Sequence, residues 1–347
     1  MKCRHCQAHL EHLFLDLGNA PPSNAYLEKE DLARQETTYP LRLFVCTECW
    51  LVQTEDFLAA NDLFRPDYAY FSSTSSSWLE HAASYSKMVQ SRFSLDKDSF
   101  VVEIASNDGY LLKNFVSSNI PCLGIEPTSD TADAAEHLGI HVIRSFFDEN
   151  LGRKLSDEGK SADLIIGNNV YAHVPDVNGF TRGLRSLIKP QGVITLEFPH
   201  LMRLVESRQF DTVYHEHFSY FSLLTVRRIF EKAGLRVFDV EELPTHGGSL
   251  RLYGCRKEAK YLETTSVASL LAEETRRGMN ALNYYATLQA HADLVKSDLM
   301  AFLHRQKKLG NKVVVLEQKP KFNHKKFLDK RTTAISEGTK KFLEEIN

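Results

Sequence analysis

The chain has 347 residues, 43% of them hydrophobic and 25% charged, and a formal net charge of −3 at pH 7. This composition is typical of a soluble globular protein with two or three domains, and the charge gives no general attraction to nucleic acid or anionic membranes. No apolar run approaches the ~20 residues that span a bilayer, and the first residues lack the apolar stretch of a secretory signal. We expect a cytoplasmic protein, monomeric or homodimeric, with no nucleic-acid or membrane partner.

Four of the six cysteines form two CxxC pairs, Cys3 with Cys6 and Cys46 with Cys49. In a reducing compartment such pairs indicate metal ligands rather than disulfides or unrelated buried thiols, and four thiolates suit one structural Zn²⁺. Between the pairs, LGNAPPSNAYL is predicted to be a turn region and YPLRLFVC a strand that enters the second pair. His5 lies inside the first pair and is able to replace a thiolate, but we expect it to be exposed to solvent.

From residue 100 onward, strands alternate with helical patterns. The predicted strands are FVVEIAS, PCLGIEPT, HVIRSF, ADLIIGNNVYAHV and GVITLEFPHL. A helix, LLTVRRIFEKAG, then precedes two strands, LRVFDVEEL and GSLRLYGC, that only a turn separates, so the last strand is antiparallel. The pattern predicts an α/β fold with the Rossmann-like sheet of a class I methyltransferase, seven strands with the last one antiparallel.

The residues at the strand ends predict a nucleoside site, because ligands of such folds bind at the carboxyl ends of the strands. The first strand ends in EIASNDG, where small residues allow a ligand to approach the backbone, although SNDG alone also fits a generic turn. The absence of GxGxxG and of a phosphate cradle favours a nucleoside without phosphate, and S-adenosylmethionine fits. We predict that Glu126 holds the ribose and that Asn168 and Asn169 lie beside the amino-acid or methyl end. The residues predicted to surround the methionine end are Glu103, Ser106, Asn107, Asp108 and Gly109.

A series of motifs spans roughly residues 1 to 255. The motifs are the two CxxC pairs, YFSSTSSSWLEHA, VEIASNDGYLL, GIEPT, NNVYAHVPD, EFPHL, FDTVYHEHFSYFSL and HGGSLR. The series resembles the S-adenosylmethionine-dependent C-methyltransferases that act on nucleotide-linked 4-keto-deoxysugars. The resemblance implies a zinc-binding domain at residues 1–75, a methyltransferase domain at 76–258, and a nucleotide-sugar bound between this domain and a C-terminal lobe. Residues 259–347 depart from the family pattern. We predict that they form a shortened helical region, in which a long helix is followed by a truncated or atypical lobe.

The resemblance also implies roles for individual residues. A 4-keto sugar is methylated at C3 after a base removes the C3 proton and a donor stabilises the enolate oxygen. By resemblance, His217 is the general base, and Tyr214 and His215 hydrogen-bond the ketone or relay the proton. Glu216 orients a histidine or contacts the sugar, and His173 is a second donor to the oxyanion. A polar loop that only caps the fifth strand is the alternative for residues 214–217.

Four further residues are predicted to contact the substrate. Tyr70 or Tyr68 closes the site from the N-terminal side, and His246 and Arg251 belong to the motif HGGSLR, in which His246 alternatively shapes the backbone. Metal binding by the two histidines of HEH is disfavoured, because no third ligand has a suitable spacing. Two other functions remain open: methyl transfer to another small-molecule acceptor, and a catalytically impaired protein that binds S-adenosylmethionine but lacks the C-terminal lobe.

Overall fold

The computed structural model describes residues 1–24, 31–64 and 70–311, and the strands of this part form two sheets. The smaller, antiparallel sheet has the order β1-β2-β3-β9. Its strands are β1 (His12–Ala20), β2 (Tyr39–Val45), β3 (Val52–Thr54) and β9 (Ser219–Tyr220). The predicted strand YPLRLFVC is confirmed as β2. The prediction of a turn from Leu17 was wrong at its start, because β1 continues through the first four residues of LGNAPPSNAYL.

The larger sheet has seven strands in the order β10-β11-β8-β7-β4-β5-β6. Its strands are β4 (Val101–Ile104), β5 (Cys122–Ile125), β6 (His141–Ile143), β7 (Ala162–Asn168), β8 (Ile188–Pro199), β10 (Leu235–Leu243) and β11 (Ser249–Arg256). The first five of these pair in parallel, and β11 is antiparallel to both its neighbours. The predicted class I methyltransferase sheet is therefore confirmed. Strands β4 and β7 are buried on both faces, which explains their continuous apolar sequences.

Helices flank the larger sheet and continue after it. They are α1 (Ala60–Leu63), α2 (Ser76–Arg92), α3 (Lys113–Ser117), α4 (Ser129–His137), α5 (Glu149–Asp157), α6 (Val177–Leu187), α7 (Leu201–Ser207), α8 (Leu223–Lys232), α9 (Thr265–Arg276), α10 (Leu282–Tyr285) and α11 (Leu288–Lys308). The segment predicted as one long helix is broken into α9, α10 and α11, because Gly278 takes φ +85°, a left-handed conformation that ends a helix. Within the described residues, no helix is long and apolar enough to cross a membrane.

The last helices pack against the smaller sheet, β1-β2-β3-β9, which we also call the N-terminal sheet. Tyr285 stacks on Trp50 with ring centroids 5.9 Å apart, and its edge faces Phe14 at 5.7 Å. The side chain of Gln289 in α11 accepts a hydrogen bond from the backbone N–H of Asp16 at 2.7 Å. The smaller sheet thus contacts both the C-terminal helices and, through β9, the segment that follows α7.

A buried glutamate–histidine hydrogen bond joins α9 to the start of α7, directly after β8. The carboxylate of Glu274 lies 2.8 Å from His200 Nε2 and accepts hydrogen bonds from the backbone N–H groups of Leu223 and Leu224 at the start of α8. Both members of the pair are fully buried. Leaving one buried partner without the other costs free energy of folding. A substitution of Glu274 therefore affects α9, α8 and the start of α7 together.

We expect Glu274→Ala to lower the free energy of unfolding by about 3–5 kcal/mol, since it leaves a buried histidine and two helix N–H groups without an acceptor. Urea unfolding followed by fluorescence measures the loss. The control is the neighbouring Glu273→Ala, which removes only surface ion pairs to Arg276 and Arg277 worth about 0–1 kcal/mol. A loss in Glu274→Ala no larger than in the control would contradict the assigned role.

Candidate active site and zinc site

A cavity of about 800 Å³ opens at the carboxyl ends of β4, β5 and β7. It continues to the loop before β9 and to Ser23 and Asn24 of the N-terminal region. The residues of the sequence prediction that line it are Tyr70, Asn107, Glu126, Asn168, Asn169, His173, Tyr214, His217 and His246. Four of the predicted cofactor residues and three of the predicted acid–base residues therefore share one continuous space.

The loop after β4 turns by left-handed residues at every second position. Ala105, Asn107 and Gly109 have φ values of +56°, +50° and +76°. A Cβ on Gly109 would lie 2.5 Å from the side chain of Ile140. Glycine is therefore required here both by the positive φ and by the lack of space for a side chain. The sequence contains the signal as E-x-A-x-N-x-G, in which alanine and asparagine occupy positions where glycine is the usual residue. Sequence reasoning missed this spacing.

Glu126 fastens this loop to the end of β5. Its Oε2 accepts a hydrogen bond from the backbone N–H of Asn107 at 2.9 Å. Its Oε1 accepts from the backbone N–H and the hydroxyl of Thr128 at 2.9 and 2.5 Å. Oε1 is saturated by Thr128, so Oε2 is the oxygen with remaining capacity for a ligand.

Three predicted cofactor residues that do not line the cavity have buried polar atoms with no partner within the described part of the chain. These atoms are both carboxyl oxygens of Glu103, the hydroxyl of Ser106 and Oδ1 of Asp108. Burial, followed by the neighbouring Asp108 and Glu126, raises the pKa of Glu103 well above its usual range. Buried polar groups are normally hydrogen-bonded, so these atoms indicate a place where a polar ligand belongs. The other carboxyl oxygen of Asp108, Oδ2, accepts a hydrogen bond from the backbone N–H of Ser73.

The stretch YHEH forms a tight turn, residues 214–217, in which the His217 N–H donates to the Tyr214 carbonyl. We call residues 214–217 the catalytic turn, after the role that the sequence predicts for them. His217 Nδ1 lies 2.8 Å from the Thr212 carbonyl, which can only accept, so Nδ1 bears the proton and Nε2 is an acceptor. The Tyr214 hydroxyl therefore donates to Nε2 at 2.9 Å. Burial, followed by the charge of His173, lowers the pKa of His217 well below its usual value, so the ring is neutral.

His173, whose ring lies beside that of His217, repeats this arrangement. Its Nδ1 lies 2.9 Å from the Glu216 carbonyl, and its ring centroid lies 4.7 Å from that of His217. Burial lowers its pKa, so the neutral ring presents an acceptor at Nε2 rather than a donor. This tautomer is the reverse of the oxyanion-donor role predicted for His173, and it suits a base.

Among the residues predicted for catalysis or substrate contact, His215, Glu216 and Arg251 do not line the cavity. His215 Nε2 contacts the Pro40 carbonyl at 3.2 Å, and the Glu216 carboxylate accepts hydrogen bonds from Ser23 and Asn24. Arg251 is buried and bonds to Glu197 at 2.8 Å and to Glu241 at 3.2 Å. These three residues therefore brace the walls, and the backbone carbonyl of Glu216 orients His173. The predicted contact Tyr68 lies outside the described residues.

One cavity wall contains Trp78, a residue of the motif YFSSTSSSWLEHA for which the sequence predicts no role. Trp78 of α2 stacks on His81 at 4.8 Å and meets the edge of His246 at 5.2 Å. His81 is held in turn by the carboxylate of Glu197 at 2.9 Å. His246 itself has φ +51°, a strained conformation for a non-glycine residue of the kind that collects at functional sites.

The cysteines of the two CxxC pairs converge into one cluster, and their four sulfur atoms all lie within 4.8 Å of one another. The Cys3 and Cys49 sulfurs are 3.5 Å apart, and those of Cys6 and Cys46 are 3.4 Å apart. Tetrahedral Zn–S bonds of about 2.3 Å place sulfurs about 3.8 Å apart, so the four side chains fit a structural zinc. Hydrogen bonds from Cys46 and Cys49 lower the pKa of the Cys3 thiol.

The expected exposure of His5 was wrong. His5 is buried, and its Nδ1 lies 2.8 Å from the side-chain oxygen of Asn178 in α6. The Asn178 amide also donates to the His5 carbonyl at 2.9 Å. The first CxxC pair is thus packed against helix α6, a long-range contact that local sequence does not reveal.

Comparisons with known proteins agree with this architecture. Residues 3–64 match the model of a zinc binding domain, residues 78–240 that of a methyltransferase domain, and residues 244–321 that of a C-methyltransferase C-terminal domain. Over 299 residues the chain is 32% identical to the C-methyltransferase NovU of Streptomyces niveus, covering 86% of this chain and 71% of NovU. The chain belongs to the C-methyltransferase family. It is an S-adenosylmethionine-dependent methyltransferase with a zinc-binding region, as the motif series predicted.

Solved structures share part of the fold with this C-methyltransferase. The magnesium protoporphyrin IX methyltransferase ChlM of Synechocystis PCC 6803, with bound SAH, is 14% identical and has a TM-score of 0.41, covering 51% of this chain and 83% of that one. An S-adenosylmethionine-dependent methyltransferase of Clostridium acetobutylicum ATCC 824 is 10% identical with a TM-score of 0.42, covering 51% and 92%. At these values neither likeness bears on the acceptor.

Proposed function

We propose that this enzyme methylates C3 of a nucleotide-linked 4-keto-deoxysugar through a base-generated enolate. The supporting observation is the single cavity in which the loop after β4 and the end of β5 face two neutral histidines and Tyr214. S-adenosylmethionine supplies an electrophilic methyl group when it is bound. Asn107, Glu126 and Asn168 are the lining residues proposed to hold it, and the carboxylate of Glu103 would accept a hydrogen bond from its ammonium group.

In the proposed mechanism His217 takes the C3 proton. Its Nδ1–H stays on the Thr212 carbonyl, so the imidazole keeps its orientation while Nε2 acts as the base. Burial raises the pKa of Tyr214 well above its usual range, so this phenol keeps its proton. Tyr214 is then able to turn its O–H from His217 to the ketone oxygen, where it stabilises the enolate as charge develops.

The cofactor half is tested by calorimetric titration with S-adenosylhomocysteine. We expect Glu126→Gln to weaken binding by about 10- to 100-fold, since one charge-assisted hydrogen bond of about 1.5–3 kcal/mol is lost. The control is Glu263→Gln, an exposed carboxylate that should leave binding unchanged. Unchanged binding in Glu126→Gln would remove Glu126 from the cofactor site. Binding without any methyl transfer to 4-keto sugars would favour the catalytically impaired alternative.

One observation favours the second candidate, methyl transfer to an uncharged small acceptor. Among the described residues that line the cavity there is no lysine or arginine, while Glu126, Asp148, Asp176 and Asp211 are acidic. The diphosphate of a nucleotide-sugar would have no cationic side chain to pair with among these residues, so its cationic partner would have to lie elsewhere in the protein. Comparing a 4-keto nucleotide-sugar with the matching free sugar decides between the candidates, because only the first predicts a lower KM for the nucleotide form.

A further inference from the structure

Residues of the N-terminal sheet and of the turn after β1 bond to each residue of the catalytic turn that follows Tyr214. The Pro40 carbonyl accepts a hydrogen bond from His215 Nε2, and the side chains of Ser23 and Asn24 donate to the Glu216 carboxylate. The Thr54 hydroxyl donates to the backbone carbonyl of His217 at 2.5 Å. Immediately after the turn, β9 pairs with β3. The side chains of His215 and Glu216 and the carbonyl of His217 are therefore held by residues of the zinc-binding region, while the Glu216 carbonyl and the Phe218 N–H bond to His173 and Ala172 after β7.

The contacts continue without a break from Thr54 to the cysteine cluster. Arg4 lies between the two cysteines of the first pair, and its guanidinium donates to the Thr54 carbonyl at 3.0 Å and the Phe218 carbonyl at 3.2 Å. Gln53 is fully buried in β3. Its side-chain oxygen accepts from the Arg4 N–H at 2.9 Å, and its amide lies 3.4 Å from the Cys3 sulfur. A bound metal would immobilise Cys3, and Gln53 and Arg4 extend that rigidity to Thr54.

We infer that Thr54 is a positioning residue for the general base, through which the cysteine cluster aligns His217. This inference rests on the proposed function. Thr54 fixes the backbone of His217, and the Thr212 carbonyl fixes its ring, so the two bonds together set where Nε2 points. Thr54 itself is buried and does not line the cavity, so it acts only through His217. A displacement of about 1 Å at a reacting group costs on the order of 100-fold in rate.

The test compares Thr54→Val with Thr54→Ser in the full-length, zinc-loaded protein. Valine keeps the shape and removes the donor, whereas serine keeps the donor. We expect Thr54→Val to lower kcat by about 10- to 100-fold, with an unchanged KM for S-adenosylmethionine and an unchanged zinc content. Amide hydrogen exchange of residues 214–218 should accelerate in Thr54→Val, while that of β4 and β7 stays the same. Thr54→Ser should restore both kcat and exchange to near the wild-type values.

The two readouts separate this inference from the proposed function. Faster exchange with an unchanged kcat would show that Thr54 positions the turn but that the turn does not contain the base, so the proposed mechanism would fail. Unchanged exchange in Thr54→Val would overturn the inference whatever the activity. Equal defects in valine and serine would also overturn it, because the hydroxyl would then not be the group that matters.

Discussion

Replacement of His217 by asparagine is expected to lower the rate of methyl transfer by about 10²- to 10⁴-fold, the usual contribution of a general base. Asparagine offers an N–H near the Nδ1 position, where it still donates to the Thr212 carbonyl, but it has no counterpart of Nε2. The variant should therefore fold normally and bind S-adenosylhomocysteine as the wild type does. It should also lose solvent-deuterium exchange at C3 of a 4-keto sugar, which reports the proton-removal step alone.

The matched variant is His173→Asn, which keeps the donor to the Glu216 carbonyl and also removes an Nε2 acceptor. If His217 is the base, His173→Asn retains deuterium exchange at C3, and the exposed His141→Asn is unaffected in every assay. Loss of exchange in His173→Asn with retention in His217→Asn would transfer the role of base to His173. The lowered pKa of His217 adds a pH criterion: because the neutral ring is active, kcat/KM should stay level as the pH falls through about 6.5 and decline only below it.

The methyltransferase sheet was predictable because its strands are buried on both faces and read as apolar runs between helices. Polar residues stand at or beside the ends of three neighbouring strands: Glu103 is the penultimate residue of β4, Glu126 directly follows β5, and β7 ends in Asn168. Parallel strands bring those ends to one edge of the sheet. The cysteine cluster was predictable for a similar reason, since the spacing of each CxxC pair alone nearly determines how its ligands converge. In these cases the local pattern contains the long-range information.

The orientation of the catalytic turn was not predictable in the same way. The spacing of His215 and His217 suggests a shared direction only on an extended strand, and the structure has a turn at that point. Which side chain enters the cavity is decided by Pro40, Ser23 and Thr54, which lie more than 150 residues earlier in the chain. The tautomer of His173 depends likewise on a carbonyl in this turn. No periodicity in the sequence encodes such pairings.

Removal of the zinc site is the second change with a large expected effect. We expect Cys49→Ser to abolish stoichiometric zinc binding and to unfold the N-terminal sheet, because structural zinc typically contributes about 10–16 kcal/mol of binding free energy to folding. The ligand pairs are separated by the chain from Cys6 to Cys46, and a metal that closes so long a loop removes much of the entropy of the unfolded state. Metal analysis and amide hydrogen exchange of β1 to β3 measure both effects.

The control for Cys49→Ser is Cys122→Ser, a half-buried thiol in β5 that lies outside the cluster and should leave the zinc content at one per chain. A Cys49→Ser protein with full zinc content, or with unchanged exchange in β1 to β3, would contradict a structural zinc. The position of β9 makes the consequence specific: since β9 pairs only with β3 within the described sheet, loss of the N-terminal sheet removes the partner of the strand that follows His217. As a chelator removes zinc, we expect deuterium exchange at C3 of the sugar to be lost before the affinity for S-adenosylhomocysteine at β4 and β5 falls.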